Sequence, residues 1–378
     1  MRGVTDEELY ALIDEKIEEA EADNYLPVAK KLQIRTRLFD SFRRLDILQE
    51  LIDRSDITEI MVNGYENVFV EKRGVMKRWP LRFKNQEQLE DMIQQIVSRV
   101  NRTVNVSQPI VDARLADGSR VHVVLPPVSL CGPVVTIRKF PEPLTMNKLI
   151  SYGAITRDAA EFLGKLVRSG YNIFISGGTN SGKTTFLNAL SGFIPDDERV
   201  ITIEDSAELQ LRHIKNLVPL EARNANAQGD GAVTISDLIR ASLRMNPDRI
   251  VVGECRGGEA LDMLQAMNTG HDGSLSTGHA NSAKEMLSRI ETMVLSGSTG
   301  QGLPLDAIRG QMASAIDIII HLGRLRDRTR KVLQIVEILN YEKGEIRTGT
   351  LYEFSEASGF LEKTGELTNT EKLRAAGY

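Results

Sequence analysis

Apolar residues recur with helical spacing near the amino terminus. Four of them fall on one face of a predicted helix over residues 6–20: Leu9, Leu12, Ile13 and Ile17. The opposite face is almost entirely Glu and Asp, and the basic stretch KKLQIRTRLFDSFRRLDILQELI follows it. An acidic helix followed by a basic one predicts a helical segment over residues 1–50 whose charged faces pair. Solvated charge explains these faces more simply than a partner-docking role does.

Strand-like alternation of apolar and polar residues begins at Ile57, in ITEIMVNGYENVFVEKRGVMKRWPLRF. Three dipeptides are turn signals: Asn63-Gly64, Arg73-Gly74 and Asp117-Gly118. A helix is predicted over about 86–100, and RLADGSRVHVVLPPV and GPVVTIRKF predict further strands. The pattern predicts an α+β domain over residues 51–139, and its PAS-like character is implied by the resemblance given below.

The pattern of apolar and polar residues changes again after two prolines. Residues 140–147, FPEPLTMN, have no regular pattern and predict a linker. Beyond them YNIFISG, RVITIED and RIVVGE predict buried strands, and KTTFLNALSGFI predicts a helix. This alternation predicts an α/β domain over 148–340, with a mostly parallel sheet covered by helices on both faces. The polar stretch 341–378 shows no comparable pattern and is predicted to be a tail.

Composition narrows the class of protein. The chain has 378 residues, enough for two or three domains, and a formal net charge of −5. This negative net charge gives no positive electrostatic potential that would favour nucleic acid, so no nucleic-acid partner is expected. Two cysteines fit a reducing compartment. With no signal-like start and no apolar window of the ~18 residues that a membrane helix needs, we expect a soluble, cytoplasmic protein that reaches a membrane only peripherally, through partners.

A glycine-rich loop follows the first strand of the α/β domain. GGTNSGKT, residues 177–184, fits G-x-x-x-x-G-K-[ST] between a strand and a helix. Glycines let backbone N–H groups converge on one anion, and the following helix adds its amino-terminal dipole. Lys183 is expected to bridge the β- and γ-phosphates of a nucleotide, and Thr184 to offer its hydroxyl to Mg²⁺. The predicted nucleotide-binding residues of this loop are Gly177, Gly178, Thr179, Asn180, Ser181, Gly182, Lys183, Thr184 and Thr185.

Acidic and histidine residues follow the later strands. Glu204-Asp205 ends RVITIED and Glu254 ends RIVVGE, and parallel strands bring such ends to one edge of a sheet, where ligands bind. A strand-end acid can also be a helix cap, but the apolar β-branched runs before these acids favour function. His271 and His279 lie in a stretch rich in Gly, Ser and Thr without a ligand-spaced Cys or carboxylate cluster, which disfavours a metal site. A contact with the γ-phosphate is predicted for His279 and, less directly, for His271; a hydrogen-bonded structural histidine is the alternative.

Four motifs in this order resemble those of the type II/type IV secretion and pilus-assembly ATPases. They are the phosphate loop at 177–184, an Asp box (TIEDSAEL) at 202–209, a Walker B variant (IVVGE) at 250–254 and a His box at 269–283. Within this family, RGGEALDMLQAMNTGHDGSLSTGHANS resembles the CpaF/TadA branch, which assembles tight-adherence (Flp) pili, as do ITEIMVNGYENVFVEKRG and RLADGSRVHVVLPP nearer the amino terminus. Gly278 departs from the branch, where a larger residue usually precedes this histidine.

The resemblance implies a RecA-like phosphate-loop domain in a homohexameric ring that hydrolyses ATP with Mg²⁺. The motor would power assembly of a type IV or Flp-type pilus, or related secretion, through inner-membrane platform proteins. Residues 140–147 would be a hinge, and closure over the nucleotide would bring arginines of the amino-terminal domain to the phosphates. The candidate arginines are Arg114, Arg120 and Arg138, for which ordinary surface charge is the alternative.

The resemblance also assigns roles to the remaining site residues. Glu204 is the first choice to polarise the attacking water. Glu254 would hold Mg²⁺ through water and share that task, and His279 would report on the γ-phosphate.

Three other classes of protein remain open. A small-molecule kinase would need an acceptor pocket and a lid, for which no pattern is present. A nucleic-acid translocase would need a basic, aromatic-rich stripe, which the acidic balance disfavours. A non-catalytic scaffold would have no use for the intact lysine and acids.

Overall fold

The computed structural model describes residues 5–21, 25–72, 75–100, 102–140, 143–223, 231–298 and 300–378. The chain divides into two compact units, an amino-terminal unit (Met1–Glu142) and a carboxyl-terminal unit (Pro143–Tyr378). The division falls within the stretch that the sequence predicted as a linker. The predicted Arg73-Gly74 turn lies outside the described residues.

The first helices pair through both charge and apolar contacts. They are α1 (Asp6–Glu21), α2 (Val28–Arg43) and α3 (Gln49–Asp53), with a 3₁₀ turn at Asp46–Leu48. Ion pairs join Asp14 to Arg35 at 2.8 Å and Asp6 to Arg43 at 3.2 Å, so the predicted pairing of charged faces is confirmed. Leu12 is 47% exposed, contrary to its predicted place on the buried face. The buried stripe of α1 consists only of Leu9, Ile13 and Ile17, which are spaced four residues apart.

The rest of the amino-terminal unit is an antiparallel sheet with one long helix. The elements are β1 (Ile57–Asn63), β2 (Asn67–Lys72), β3 (Val75–Arg78), α4 (Gln86–Arg99), β4 (Ile110–Arg114), β5 (Arg120–Val124) and β6 (Val134–Arg138). The strand order is β3-β2-β1-β6-β5-β4. Helix α4 begins where the side chain of Asn85 accepts from the backbone N–H of Gln88, and its apolar face packs with alternate strand residues into one core. The predicted α+β pattern is present.

The carboxyl-terminal unit alternates helices and strands. In chain order they are α5 (Met146–Ser151), α6 (Arg157–Arg168), β7 (Ile173–Gly177), α7 (Lys183–Ser191), β8 (Arg199–Glu204), β9 (Asn216–Glu221), α8 (Ile235–Ser242), β10 (Arg249–Val252), α9 (Glu259–Asn268), β11 (Leu275–His279), α10 (Ala283–Ser296), α11 (Leu305–Ala315), β12 (Ile318–Arg324), β13 (Arg330–Glu342), β14 (Glu345–Ser355), β15 (Phe360–Lys363) and α12 (Glu371–Ala375). They form one nine-stranded sheet, ordered β15-β14-β13-β12-β7-β11-β10-β8-β9.

Helices cover both faces of this sheet, as the sequence predicted. Within β7, Ile173 and Ile175 belong to one core with α6 and α7, whereas Phe174 belongs to a second core with α9 and α10. The strands from β12 to β9 pair in parallel. The carboxyl ends of β7, β8, β10 and β11 therefore lie along one edge, which we call the carboxyl edge.

The prediction of a tail over 341–378 is wrong. Strands β13, β14 and β15 extend the sheet with antiparallel pairing, so the sheet is mixed. The segment after β15 is anchored as well, because the carboxylate of Glu337 accepts hydrogen bonds from the backbone N–H groups of Thr368 and Asn369 at 2.7–3.2 Å. The prediction failed because the outer face of these strands is polar, which hides their pairing from a local reading.

Candidate functional site

The phosphate loop leaves the carboxyl end of β7 and enters α7 without a side-chain cap. Gly182, the residue before α7, has φ of +93°, a conformation that side chains other than glycine rarely adopt. Asn180 also has a positive φ, 60°, which asparagine tolerates better than most residues. The hydroxyl Oγ of Ser181 is buried without a hydrogen-bond partner. These backbone conformations and the unpartnered Ser181 hydroxyl are compatible with the predicted anion cradle, which stays a prediction.

Lys183, the first residue of α7, is buried and folded back onto the loop. Its Nζ donates to the carbonyl oxygens of Gly177 and Gly178, each at 3.2 Å. Burial lowers the pKa of this ammonium, while the nearby carboxylate of Glu254 acts in the opposite direction. A buried cation that is held by neutral carbonyls can exchange them for an anionic ligand.

His279 joins this lysine to an acid. Its Nδ1 lies 3.3 Å from Nζ of Lys183, and its Nε2 lies 2.9 Å from Oε1 of Glu254. Burial lowers the pKa of His279 and the positive charge of Lys183 lowers it further, against the pull of Glu254. The structure therefore brings together three residues that the sequence placed on three different elements.

Arg256 extends the row of charges. Its guanidinium lies 3.3 Å from the carboxylate of Glu254 and 3.4 Å from that of Asp205. Both Arg256 and Asp205 are 63% exposed, so these ion pairs are weak and can exchange partners.

Glu204 is placed differently from Glu254. It is buried, and its carboxylate accepts from the backbone N–H groups of Glu208 and Leu209 at 2.8–3.2 Å. The same loop is tied to α7, because Asn188 accepts from the N–H of Gln210 at 2.8 Å. Glu204 thus shapes the loop after β8, and Glu254 is the acid that faces Lys183 and His279. The sequence prediction that gave Glu204 first place as the water-polarising group is not supported by this geometry.

His271 lies at the opposite end of β11 from His279. Its Nδ1 is 3.2 Å from the carbonyl oxygen of Ala266 in α9, and its own carbonyl accepts from Ser274 at 2.8 Å. Because strand residues advance about 3.3 Å each, the length of β11 separates the two histidines by about 13 Å or more. His271 closes the turn between α9 and β11, and this placement does not support the nucleotide contact that was expected of it.

The three candidate arginines form one row across the sheet of the amino-terminal unit. Arg114 is paired in register with Arg120, and Arg120 with Arg138. Residues directly opposed on neighbouring strands project to the same face. Val121 and Val123 are on the alternate face of β5 from Arg120 and are buried, so the row of arginines lies on the face away from the core. The sequence named these residues individually, but only strand register makes them neighbours.

A cavity of about 290 Å³ adjoins the phosphate loop. Apolar side chains of Leu149, Tyr152 and Phe186 line it together with the turn between β12 and β13. Arg330, the first residue of β13, donates its Nε–H to the carbonyl of Asn180 at 2.9 Å, which brings a cation to the loop. No local pattern in the sequence marks Arg330 as a site residue. A larger cavity of about 620 Å³ beside α8 has no phosphate-loop residue in its described lining.

The site offers few side chains that could hold a metal ion. In the described parts of the chain, no group of three or more His, Cys, Asp or Glu residues could hold one. Thr184 supplies a hydroxyl in the first turn of α7, and Glu254 supplies a carboxylate near Lys183; Mg²⁺ uses such sparse ligands when substrate phosphates supply most of its coordination. The orphaned Ser181 hydroxyl and the carbonyl-bound Lys183 fit a phosphate group beside it. No helix in the described residues is long and apolar enough to cross a membrane.

The sequence and the fold of this chain are similar to those of known proteins. The family described as type II/IV secretion system protein matches residues 43–359. A Mycobacterium tuberculosis protein with a provisional conjugal-transfer name is 36% identical over 313 residues, covering 81% of this chain and 87% of that protein. The type IV secretion system protein VirB11 of Brucella suis is 32% identical over 306 residues, covering 74% and 84%. Among solved structures, the pilus retraction motor PilT with bound ADP covers 88% of this chain and 85% of its own, at 20% identity and a TM-score of 0.56.

At 20% identity, the similarity to PilT concerns the fold alone. The family match and the identity to VirB11 concern the sequence, and they extend over most of the chain. These findings agree with the family resemblance of the four motifs. The chain belongs to the type II/IV secretion system protein family.

Proposed function

We propose that this protein hydrolyses ATP at the carboxyl edge of a RecA-like unit, with Mg²⁺ as the metal ion. The observation that carries the proposal is the row Lys183–His279–Glu254 at the mouth of a phosphate loop. It places a cation, a proton-bearing imidazole and a carboxylate within a few ångströms of one another. Phosphoryl transfer to water needs that combination, because catalysis consists mainly of positioning and of charge stabilisation.

Binding follows from the loop itself. The phosphates accept from the backbone N–H groups of residues 177–185, and Lys183 exchanges two carbonyls for phosphate oxygens. Thr184 and Glu254 would hold Mg²⁺, which neutralises charge on the phosphates. The nucleoside occupies the cavity beside Phe186 and Arg330. A volume of about 290 Å³ is near the lower limit of ordinary ligand pockets, which suits the nucleoside part of a nucleotide.

Glu254 is the group that orients the attacking water. It faces Lys183 and His279, whereas the carboxylate of Glu204 is engaged by backbone N–H groups. A neutral His279 has one N–H donor, so it can donate either to the γ-phosphate or to Glu254, and it donates to both only as the imidazolium. Glu204 supports the site indirectly, by fixing the loop that follows β8.

The PAS-like amino-terminal domain would contribute charge to the transition state. Arg114, Arg120 and Arg138 supply three guanidinium groups on one face, and the stretch 140–147 would be the hinge of domain closure. An arginine that reaches the phosphates only after closure stabilises the transition state more than bound ATP. Replacing the correct arginine should therefore lower kcat about a hundredfold or more and change ATP affinity little.

Similar proteins indicate which process ATP hydrolysis by this chain would drive. We propose a homohexameric cytoplasmic ring that powers assembly of a type IV or Flp-type pilus, of the CpaF/TadA branch, or related secretion. It would act on inner-membrane platform proteins and touch the membrane only peripherally, through them. Support comes from the names of VirB11 and PilT, one a secretion protein and the other a pilus motor.

Two substitutions test hydrolysis. Lys183→Ala should abolish nucleotide binding, and Glu254→Gln should keep binding but lower phosphate release about a hundredfold or more, because the amide cannot carry charge beside the water. Glu362→Gln, on the exposed edge strand β15, is the matched control. Release of ADP and phosphate without any acceptor excludes a kinase. Parental turnover in Glu254→Gln would show that Glu254 does not have this role.

Assembly is tested by mass. Light scattering at micromolar concentration, with and without a non-hydrolysable ATP analogue, should show a species of six chains in at least one condition. A monomer in every condition would refute the ring, and the proposal of ATP hydrolysis would be unaffected.

A further inference from the structure

A second buried histidine lies beside the phosphate loop and has no part in the mechanism above. His321 is in β12, directly opposite Ser176 of β7, and is only 7% exposed. Its Nδ1 lies 2.8 Å from Oγ of Ser176, the residue before the first glycine of the loop. The imidazole therefore holds the strand that leads into the loop.

The other end of the imidazole reaches the opposite side of the site. The backbone of Asn281 lies within hydrogen-bonding reach of His321, two residues beyond His279. Strand β7 lies between β12 and β11, so His321 joins the carboxyl ends of three neighbouring strands. In register, Gly177 is flanked by Leu322 on one side and by His279 on the other.

Chemistry favours an imidazole in this place. A neutral ring has one donor and one acceptor nitrogen, so it can satisfy a hydroxyl on one side and a backbone group on the other. Burial lowers the pKa of His321, which keeps the ring neutral, although the carboxylate of Glu285 in α10 acts in the opposite direction. A buried polar side chain with both ends engaged fixes relative position better than an apolar one, because a shift would leave a buried group unsatisfied.

We propose that His321 is a positioning residue for ATP hydrolysis: through Ser176 and Asn281 it fixes the phosphate loop relative to the loop that carries His279. The inference rests on the proposed function. Its consequence is specific to turnover, since nucleotide binding needs the phosphate loop and the adjoining cavity, whereas hydrolysis also needs His279 and Glu254 in place beside them.

The variants remove one end of the link at a time. His321→Gln keeps a polar side chain, His321→Ala removes it, and Ser176→Ala deletes only a hydroxyl. His213→Gln, at an exposed histidine after β8, is the matched control. The change expected for His321→Ala and Ser176→Ala is a loss of about tenfold or more in kcat, with the Kd for ADP changed less than about threefold. His321→Gln should recover part of the loss, and the double variant Ser176→Ala/His321→Ala should be no worse than His321→Ala, because both changes break one link.

A hydrogen-exchange readout makes the test independent of turnover. If the loop after β11 loosens in His321→Ala, the backbone amides of residues 279–283 should exchange about tenfold faster or more than in the parent, while those of β10 keep the parental rate. Unchanged exchange of residues 279–283, or an activity loss that only follows the folded fraction, would overturn the inference. Failure of the parent protein to hydrolyse ATP would overturn the proposed function instead, while hydrogen exchange would still decide whether His321 holds this loop.

Discussion

Lys372 is the strongest polar anchor of the carboxyl-terminal segment, and its replacement by methionine should destabilise the whole sheet. Its ammonium donates to Asp272 and Asp317, each at 2.8 Å, and to the carbonyl of Gly170 at 3.1 Å. These partners precede β11, β12 and β7, so a single side chain connects α12 to three strands. Methionine keeps most of the volume and removes the charge.

The expected loss of stability follows from the solvent exposure of the two ion pairs. Asp272 is 62% exposed, and such a pair contributes about 0–1 kcal/mol. The carboxylate of Asp317 is 24% exposed and Lys372 is 31% exposed, so the loss of about 3–5 kcal/mol for breaking a fully buried pair must be reduced to about 2 kcal/mol. The free energy of unfolding should therefore fall by about 2–3 kcal/mol, which lowers Tm by about 5–10 °C for a unit of this size.

The loss should depend on pH. Burial raises the pKa of Asp317, and Lys372 opposes that effect. Without the lysine the folded-state pKa rises further above the unfolded value, so the variant is penalised while Asp317 is ionised and recovers as pH falls through that raised pKa. The difference in Tm between variant and parent should therefore be largest near pH 7 and smaller near pH 4.

Calorimetry of both proteins across this range is the assay, with hydrogen exchange of residues 364–378 as the local readout. Trp79 cannot report on this change, because the chain's single tryptophan lies in the amino-terminal unit. The matched control is Lys363→Met, whose partner Glu366 is 84% exposed and whose loss should stay below about 0.5 kcal/mol. Equal Tm losses for the two variants, or a loss independent of pH, would refute the reasoning.

Two further predictions concern the core near the site. Gly278→Ala should cost about 1–3 kcal/mol, because a Cβ there would lie 2.5 Å from Cε of buried Met286; if Met286→Val does not reduce that cost in thermal unfolding, packing is not the reason for this glycine. Burial raises the pKa of Cys255 to about 12, whereas Cys131 is exposed, so a thiol reagent at pH 8 should modify only Cys131 in the folded protein; rapid modification of two thiols per chain would contradict the burial.

Local chemistry made much of the site predictable. The phosphate loop is recognisable because positive φ at Gly182 and an uncapped helix start are properties of a few consecutive residues. Glu254 and His279 were also predictable, since buried runs of β-branched residues mark strands, and parallel strands end at one edge. The departure at Gly278 was visible in the sequence, but its explanation by Met286 was not.

Contacts between distant elements decided the rest. Glu204 and Glu254 look alike in the sequence, and only the folded loop after β8 commits the first to backbone N–H groups and leaves the second facing Lys183. His271 and His279 share one motif, yet β11 places them at opposite edges of the sheet.

The sequence by itself therefore determined the order of buried strands, the phosphate cradle and the set of chemical groups that could serve it. Tertiary structure decided which of those groups meet. His321 reaches Ser176 across 145 positions of sequence, and Arg330 reaches Asn180 across 150. The physical reason is that strand periodicity and turn chemistry act between near neighbours in sequence. Register, strand order and the anchoring of residues 341–378 in the sheet depend on burial shared by the whole unit.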